Sequence, residues 1–213
     1  MSLRYVAGLL AFVVIFVTML VAAVYKTVPA LPPAGPVIKI MSGEGHGSGV
    51  HIGGGHVLTA AHVIPIKPVP MTAKGDDGRE HKIEVLWVNR EYDIALLYVE
   101  DDKAIGAARL ECREPRRGEN IVAVGNPIML EFVETRGHVA GSARKAGHWK
   151  WAVPSDISVA GGMSGGGIFS GSGHLIGITV GMLLQPLGFG GTAVGIAFFV
   201  PGSTICNLLA RAG

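Results

Sequence analysis

Charged residues are scarce in this chain of 213 residues: Asp, Glu, Lys and Arg make up only 16% of it, and the formal net charge is +2. So small a positive charge cannot build a field that holds a phosphate backbone, which excludes nucleic acid as the expected partner. With 49% hydrophobic residues and a mean hydropathy of +0.43, the chain is too apolar to be disordered. It is also more apolar than an ordinary soluble domain, so part of it is expected to contact lipid.

Cysteine is rare as well. Cys112 and Cys206 are too few for a metal cluster or a disulfide framework, and they leave the redox compartment undetermined. The length is that of one domain, which excludes a large multidomain assembly. Glycine, by contrast, is abundant, with 32 residues and no collagen-like period. That abundance predicts many tight turns and favours short strands over long helices.

The excess hydrophobicity is concentrated at the N-terminus, where residues 5–25 carry no charge between Arg4 and Lys26. A helix of about 20 residues, rising ~1.5 Å per residue, spans a hydrocarbon core of ~30 Å. We therefore predict a single transmembrane anchor over residues 1–26; a signal peptide cleaved after Ala23 is the alternative. The weak excess of positive charge before the anchor predicts a cytoplasmic N-terminus and an extracytoplasmic remainder.

Beyond the anchor the pattern changes twice. Residues 27–36 are rich in proline, which predicts an extended, semi-rigid stalk. Residues 37–213 are the expected folded domain, where apolar or alternating segments such as KIEVLWV, NIVAV and AVGIAFFV recur between glycine-rich or charged breaks. This spacing predicts an all-β sandwich or barrel. Only residues 202–211 have the pattern of a helix.

Three residues carry the candidate chemistry. His62 ends the strand-like run LTAAHV, Asp93 begins the apolar segment DIALL, and Ser164 lies within GGMSGGG. A carboxylate held at the start of a buried strand needs a proton donor such as an imidazole Nδ1. Glycines around a serine let the backbone turn sharply and let a substrate carbonyl approach its amides. The three contexts together predict nucleophilic catalysis.

Two other hydrolase classes share the glycine-flanked serine. The segment fits Gly-x-Ser-x-Gly, the nucleophile elbow of α/β-hydrolases, but that fold needs an acid and then a histidine later in the chain. No Asp or Glu follows Ser164. Intramembrane rhomboid proteases need several membrane helices, and the sequence predicts one. The order of His62, Asp93 and Ser164 is that of chymotrypsin-like enzymes.

Short segments in the same order resemble the trypsin-like serine peptidases, and most closely the catalytic domain of the HtrA/Deg family. They are Gly47–Val50, His56–Val63, Asp93–Leu97, Val122–Pro127 and Gly195–Pro201. The resemblance covers roughly residues 45–205. It implies an all-β, chymotrypsin-like double six-stranded β-barrel with a short C-terminal helix. The first barrel is expected over about residues 37–113 and the second over about residues 118–201.

The resemblance also implies a serine endopeptidase that acts on proteins or peptides and needs no metal or cofactor. In it His62 is the base, Asp93 orients it, Ser164 is the nucleophile, and the backbone N–H groups of Gly162 and Ser164 form the oxyanion hole. The recurring histidines at positions 46, 51 and 56 alternate between faces of a strand, so a shared metal centre is not expected. A catalytically inactive, membrane-tethered binding module, a structural membrane protein with a β domain, and a viral or phage processing protease of the same fold are the alternatives.

Two further expectations concern specificity. The family builds its primary pocket from the segment before the nucleophile and the strand after it, which here gives Ser158 together with Thr179, Val180 and Gly181. Ser158 is expected at the pocket floor and is uncharged, so cleavage after small or medium apolar residues is predicted, with Asp156 outside the pocket. Met163 stands where trypsins carry an acid. The residues after Pro201 are too few for a PDZ module of about 90 residues, so none is expected.

Overall fold

The computed structural model describes residues 35–43, 45–100, 102–187 and 190–212. The predicted anchor over residues 1–26 and nearly all of the predicted stalk lie outside these ranges. Within them, no helix is both long enough and apolar enough to cross a membrane. Strands dominate the described ranges, so the all-β class expected from the sequence is confirmed.

The first half of the described chain forms a closed barrel. Its strands are β1 (Val37–Ser42), β2 (Gly45–Gly53), β3 (His56–Thr59), β4 (Met71–Lys74), β5 (Glu80–Asn89) and β6 (Ile94–Val99). They follow one another around the barrel in the order β1-β2-β3-β6-β5-β4. Alternate side chains such as Ile38, Ile40 and Leu97 point inward and are fully buried, as strand geometry requires.

The second half forms a seven-stranded sheet of order β8-β7-β11-β12-β13-β10-β9. Its strands are β7 (Asn120–Gly125), β8 (Val133–His138), β9 (Arg144–Ala146), β10 (Trp149–Ser155), β11 (Gly167–Ser170), β12 (Leu175–Leu187) and β13 (Gly190–Pro201). This differs from the second six-stranded barrel expected from the resemblance, because the short β9 forms a hairpin with β10. A single bridge between Val139 and Ser155 brings the chain after β8 back to β10.

One helix, α1 (Gly202–Ala212), ends the described chain, as the sequence predicted. Its Ile205 and Leu208 are buried in the core that both halves share. A disulfide joins Cys206 of this helix to Cys112 in the segment between the halves, across a sequence separation of 94 residues. The sequence left this pairing open, since two cysteines far apart in the chain carry no local signal of contact.

The two halves meet along a shared core. Val50, Leu58 and Ile94 of the barrel belong to the same buried cluster as Val124 and Val180 of the sheet. Ser48 of β2 bonds to Ser164 in the loop before β11, and His62 after β3 contacts Asp93 before β6. The fold therefore brings to one place the segments that carry the three candidate catalytic residues.

Candidate active site

His62 lies in a single 3-10 turn, Ala61–Val63, directly after β3. The guanidinium of Arg90 donates hydrogen bonds to the carbonyl oxygens of Ala61 at 3.1 Å and Ile64 at 3.2 Å. The carbonyl of Ala61 also accepts the backbone N–H of Ile64 at 3.2 Å, which closes the turn. Arg90 thus adds a second hydrogen bond at Ala61 and pairs the carbonyl of Ile64, which follows the turn. The His62 side chain remains 47% exposed, so its ring is open to solvent on one side.

Asp93 reaches its place through a turn that its own neighbours organise. The side-chain oxygen of Asn89 accepts the backbone N–H groups of Glu91 and Tyr92, each at 3.1 Å. The backbone of Asp93 then adopts a left-handed conformation with φ of 57°, which Asp tolerates better than most residues but which still stores strain. The outcome is a carboxyl group turned inward at the start of β6, with a side chain only 6% exposed.

The buried carboxylate of Asp93 accepts three hydrogen bonds. Its Oδ1 accepts the backbone N–H of His62 at 2.9 Å, and its Oδ2 lies 2.8 Å from His62 Nδ1. The indole Nε1–H of Trp149 donates to the same Oδ2 at 3.0 Å. A carboxylate can only accept, so the proton of the imidazole lies on Nδ1. His62 Nε2 is therefore left as the ring nitrogen that can accept a proton.

Ser164 lies in the glycine-rich loop between β10 and β11, and the first barrel holds this loop. The N–H of Ser48 donates to the Ser164 carbonyl at 2.8 Å. Gly47 lies beside this contact, where there is no room for a side chain. An added Cβ would lie 2.6 Å from Val63 and 3.3 Å from the carbonyl oxygen of Ser164. Since Val63 directly follows His62, the structure brings the serine loop against the histidine turn.

The backbone N–H groups of Gly162 and Ser164 in this loop are unpaired among the described residues. The carbonyl of Gly161 accepts the N–H of Ile128 at 2.7 Å, and the carbonyl of Met163 accepts an N–H further along the loop at 2.9 Å. Because a trans peptide points its N–H away from its carbonyl, the following N–H groups of Gly162 and Ser164 face the opposite way. Within the described ranges, neither of these groups donates a hydrogen bond. Such a pair suits an oxygen that carries negative charge.

Gly162 is fixed by a hydrogen bond from Ser48 and by close packing against Asn126 and His46. The hydroxyl of Ser48 donates to its carbonyl oxygen at 2.8 Å. The Nε2 of His46 lies 3.0 Å from the carbonyl oxygen of Asn126 and donates to it. The backbone of Gly162 has φ of 94°, and an added Cβ would overlap both the Asn126 carbonyl and the His46 ring. Only glycine fits this position without moving its neighbours.

The predicted pocket residues lie on two segments. Ser158 follows β10 and is exposed, and its backbone carbonyl accepts the hydroxyl of Thr135 at 2.9 Å. Thr179 and Val180 are buried on β12, and Thr179 Oγ1 finds no hydrogen-bond partner in the part of the chain that the structure describes. Gly181 follows them, where an added Cβ would lie 2.7 Å from the indole of Trp149.

Asp156, which stands shortly before Ser158 in the chain, pairs with His138 on β8. Its carboxylate accepts the backbone N–H of His138, and its Oδ2 lies 3.2 Å from the ring Nδ1. Partial burial alone would raise the pKa of Asp156, but the hydrogen bonds from His138 outweigh it and hold the pKa below its ordinary value. The carboxylate is therefore charged and already occupied at neutral pH.

The three recurring histidines go to three different places. His46 contacts the serine loop, His51 is buried with its Nδ1 2.9 Å from the Gly106 carbonyl oxygen, and His56 is exposed at the start of β3. Among the described residues, no group of His, Cys, Asp and Glu is arranged to hold a metal ion.

Sequence reasoning missed several residues that shape the site. Asn89 had a usable signal, because asparagine is common in turns, where its side chain bonds to the backbone two residues further on. Arg90 and Trp149 had none. The Trp149 indole and the Asp93 carboxylate are 56 positions apart in the sequence, and only the docking of the two halves brings them together.

The chain matches the family described as trypsin-like peptidase domain over residues 47–178, a range that contains His62, Asp93 and Ser164. The chain therefore belongs to the trypsin-like peptidase domain family. It is 34% identical to the periplasmic pH-dependent serine endoprotease DegQ of Escherichia coli over 174 residues, which are 79% of this chain and 37% of DegQ. It is also 34% identical over 173 residues to a probable periplasmic serine protease of Haemophilus influenzae, do/HhoA-like, covering 78% of this chain and 36% of that protein.

The chain thus spans little more than a third of the length of these relatives. Among solved structures, it is similar to the HtrA-type protease AlgW, determined with a tripeptide, with a TM-score of 0.73. The identity is 24%, and the match covers 84% of this chain and 60% of AlgW. That match shows the chymotrypsin-like fold.

Proposed function

We propose that this chain is a serine endopeptidase that hydrolyses proteins or peptides through His62, Asp93 and Ser164. The observation that carries the proposal is the contact of 2.8 Å between His62 Nδ1 and the buried carboxylate of Asp93, beside the loop of Ser164. An exposed imidazole with its proton fixed on Nδ1 is the form of histidine that a serine protease needs. The names of the two relatives, a serine endoprotease and a probable serine protease, support the same activity.

The proposed hydrolysis has two half-reactions, acylation of Ser164 and then hydrolysis of the acyl group. The hydroxyl of Ser164 is a weak nucleophile until His62 Nε2 takes its proton, and the oxygen then attacks the substrate carbonyl carbon. His62 returns the proton to the leaving amine, which leaves an acyl group on Ser164. Water, deprotonated by His62 in turn, attacks the acyl carbon. The bond from that carbon to the Ser164 oxygen then breaks, His62 returns the proton to this oxygen, and the acid is released. Asp93 stabilises the imidazolium in both half-reactions and fixes the orientation of the His62 ring.

The oxygen of the tetrahedral intermediate becomes negative during each half-reaction. The free N–H groups of Gly162 and Ser164 are the donors proposed to stabilise it. Losing one such donor typically lowers kcat by ~10² to ~10³. The carbonyl groups of Gly161 and Met163 are held by hydrogen bonds, so the N–H groups of the same two peptides are oriented before the substrate binds.

Hydrolysis of casein tests this proposal. The full-length wild-type chain is expected to degrade casein, and Ser164→Ala is expected to be inactive. Ser172→Ala is the matched control, because Ser172 is an exposed serine in the turn after β11. Loss of activity in both variants would point to a folding defect, and activity retained by Ser164→Ala would contradict the proposal.

The primary pocket is proposed to comprise Ser158 with Thr179, Val180 and Gly181. None of these residues is charged, so a basic side chain would lose its hydration there without gaining a partner. Apolar side chains gain about 25 cal/mol per Å² buried. A peptide library is therefore expected to be cut after small or medium apolar residues. Cleavage mainly after Arg or Lys, abolished by Asp156→Ser, would show that the pocket is misassigned.

The domain is proposed to lie outside the cytoplasm, tethered to the membrane by residues 5–25. The disulfide between Cys112 and Cys206 suits an oxidising compartment, and the relatives are named as periplasmic. Membranes washed with carbonate are expected to retain the full-length chain, and protease added to spheroplasts is expected to digest it beyond Pro36. A soluble mature form beginning near Val24 would establish a cleaved signal peptide instead.

A further inference from the structure

Trp149 joins the two halves of the molecule at the candidate triad. It is the first residue of β10 in the seven-stranded sheet, whereas Asp93 directly precedes β6 of the barrel. Its indole N–H donates to Asp93 Oδ2 at 3.0 Å, and the same oxygen lies 2.8 Å from His62 Nδ1. One carboxylate oxygen is therefore shared between the catalytic histidine and a tryptophan of the other half.

The indole is fixed by its packing. Its ring lies against Phe198 of β13, with ring centroids 5.3 Å apart and planes inclined by 35°. On the β12 side it fills the space beside Gly181, where an added Cβ would come within 2.7 Å of Cζ2. A side chain held by two neighbouring strands presents its N–H in one direction, and here that direction is toward Asp93.

We propose that Trp149 is a positioning residue for the catalytic triad, which holds the Asp93 carboxylate in the orientation that engages His62. This inference rests on the proposed serine endopeptidase activity. It also makes assembly of the triad depend on the docking of β10 against the barrel, because neither half supplies all three donors to the carboxylate. Through its packing beside Gly181, Trp149 also ties the geometry of the triad to β12, which carries part of the proposed pocket.

The chemistry of the donor fits this role. The Asp93 side chain is only 6% exposed, so an unfilled lone pair on Oδ2 would lack water as well as a protein partner. A lysine or arginine at this position would fill the lone pair, but its charge would offset the carboxylate and weaken the support given to the imidazolium. An indole N–H is neutral. It fixes the carboxylate and leaves its charge available to His62.

The kinetic test replaces Trp149 by phenylalanine in the full-length chain, which retains an aromatic ring beside Phe198 and Gly181 and removes the N–H. Trp151→Phe is the matched control, since Trp151 is on the same strand with its side chain 42% exposed. Trp149→Phe is expected to lower kcat about tenfold with KM unchanged on an apolar peptide ester, whereas Trp151→Phe changes neither. An unchanged kcat, or a raised KM alone, would reduce Trp149 to a packing residue of the pocket.

A spectroscopic test does not depend on catalysis. The chain has three tryptophans, and their indole N–H resonances can be assigned in ¹⁵N–¹H spectra from single Trp→Phe variants. Asp93→Asn is expected to shift the Trp149 resonance and to leave those of Trp87 and Trp151 in place. No shift at Trp149 would overturn the inference even if Trp149→Phe fails to fold. An inactive wild-type chain would refute the proposed activity, whereas an active wild type matched by Trp149→Phe would refute only the role of Trp149.

Discussion

Single residues decide the geometry of the site through backbone conformation as much as through side-chain chemistry. Asp93 reaches the barrel core in a left-handed conformation that the Asn89 side chain prepares. Gly162 presents its N–H with φ of 94° because Ser48 and Ile128 hold the carbonyl groups on either side. The candidate catalytic groups are thus placed by neighbours that have no proposed chemical role of their own.

Gly162→Ala tests this reasoning at the proposed oxyanion hole. The added methyl group would overlap the Asn126 carbonyl and the His46 ring, and the backbone would leave its positive φ. We expect kcat to fall by about 10² or more, as for loss of an oxyanion donor, and the melting temperature to fall as well, because the backbone around Gly162 or Asn126 must move.

Gly161→Ala is the matched control, because a Cβ there would meet nothing within 4 Å. Its kcat is expected to match that of wild type. Equal kcat values for the two variants would mean that the Gly162 N–H does not bind the reacting oxygen.

At the scale of elements, a disulfide and two ion pairs stabilise the segment that connects the barrel to the seven-stranded sheet. The disulfide ties Cys112 to Cys206 of α1, with Cα atoms 5.6 Å apart. Next to it, the Arg113 guanidinium donates to Glu111 at 2.7 Å and to Glu119 at 2.9 Å. These contacts hold α1 and the start of β7 against the same short segment.

Removal of the disulfide should destabilise the fold. Its closed loop spans 94 residues, and native disulfides of this kind contribute about 2–5 kcal/mol, in large part by restricting the unfolded chain. The double variant Cys112→Ser, Cys206→Ser is therefore expected to unfold at lower urea than wild type. Reduced wild type should match the double variant, and equal midpoints for oxidised wild type and the double variant would show that the bond adds no stability.

The ion pairs of Arg113 predict a dependence of stability on pH. The hydrogen bond from Arg113 lowers the pKa of Glu111. Burial raises the pKa of Glu119, but the hydrogen bonds from Arg113 and the Arg116 backbone outweigh it, so this pKa is lowered too. A lowered pKa in the folded state stabilises it above the unfolded value of about 4.3, and the contribution is lost as pH falls through the folded pKa.

Glu119→Gln isolates one of these carboxylates. Wild type is expected to lose melting temperature steadily as pH drops below about 4.3, because both glutamates must then take up protons. The variant should melt lower at neutral pH and lose less on acidification, since a glutamine does not titrate. Parallel pH profiles for wild type and Glu119→Gln would contradict the assignment.

On the scale of the whole molecule, the sequence was informative where the chemistry is local. The runs around His62, Asp93 and Ser164 and their order indicated both the fold class and the candidate triad. The resemblance implied six strands for the second half, whereas its sheet has seven. The short polar strand β9, Arg144–Ala146, has no hydrophobic period that could reveal it in the sequence. The disulfide was left open and the Trp149 contact was missed, because both join segments that are distant in sequence and meet only in the folded chain.

The whole molecule works only if the barrel and the sheet meet correctly. The barrel supplies His62 and Asp93, and the sheet supplies Ser164, the free N–H groups and Trp149. Ser48 of the barrel bonds directly to the serine loop, through its N–H to Ser164 and its hydroxyl to Gly162. Disruption of the junction is therefore expected to abolish activity while each half retains its strands.

The most direct test of the central claim is covalent labelling with a fluorophosphonate, which reacts only with a serine that a neighbouring base activates. Wild type is expected to gain one label, located on Ser164 by peptide mass spectrometry, and His62→Ala should label far more slowly. A label that persists in Ser164→Ala, or a wild-type chain that takes up none, would contradict the assignment of this chain as a serine endopeptidase acting through Ser164.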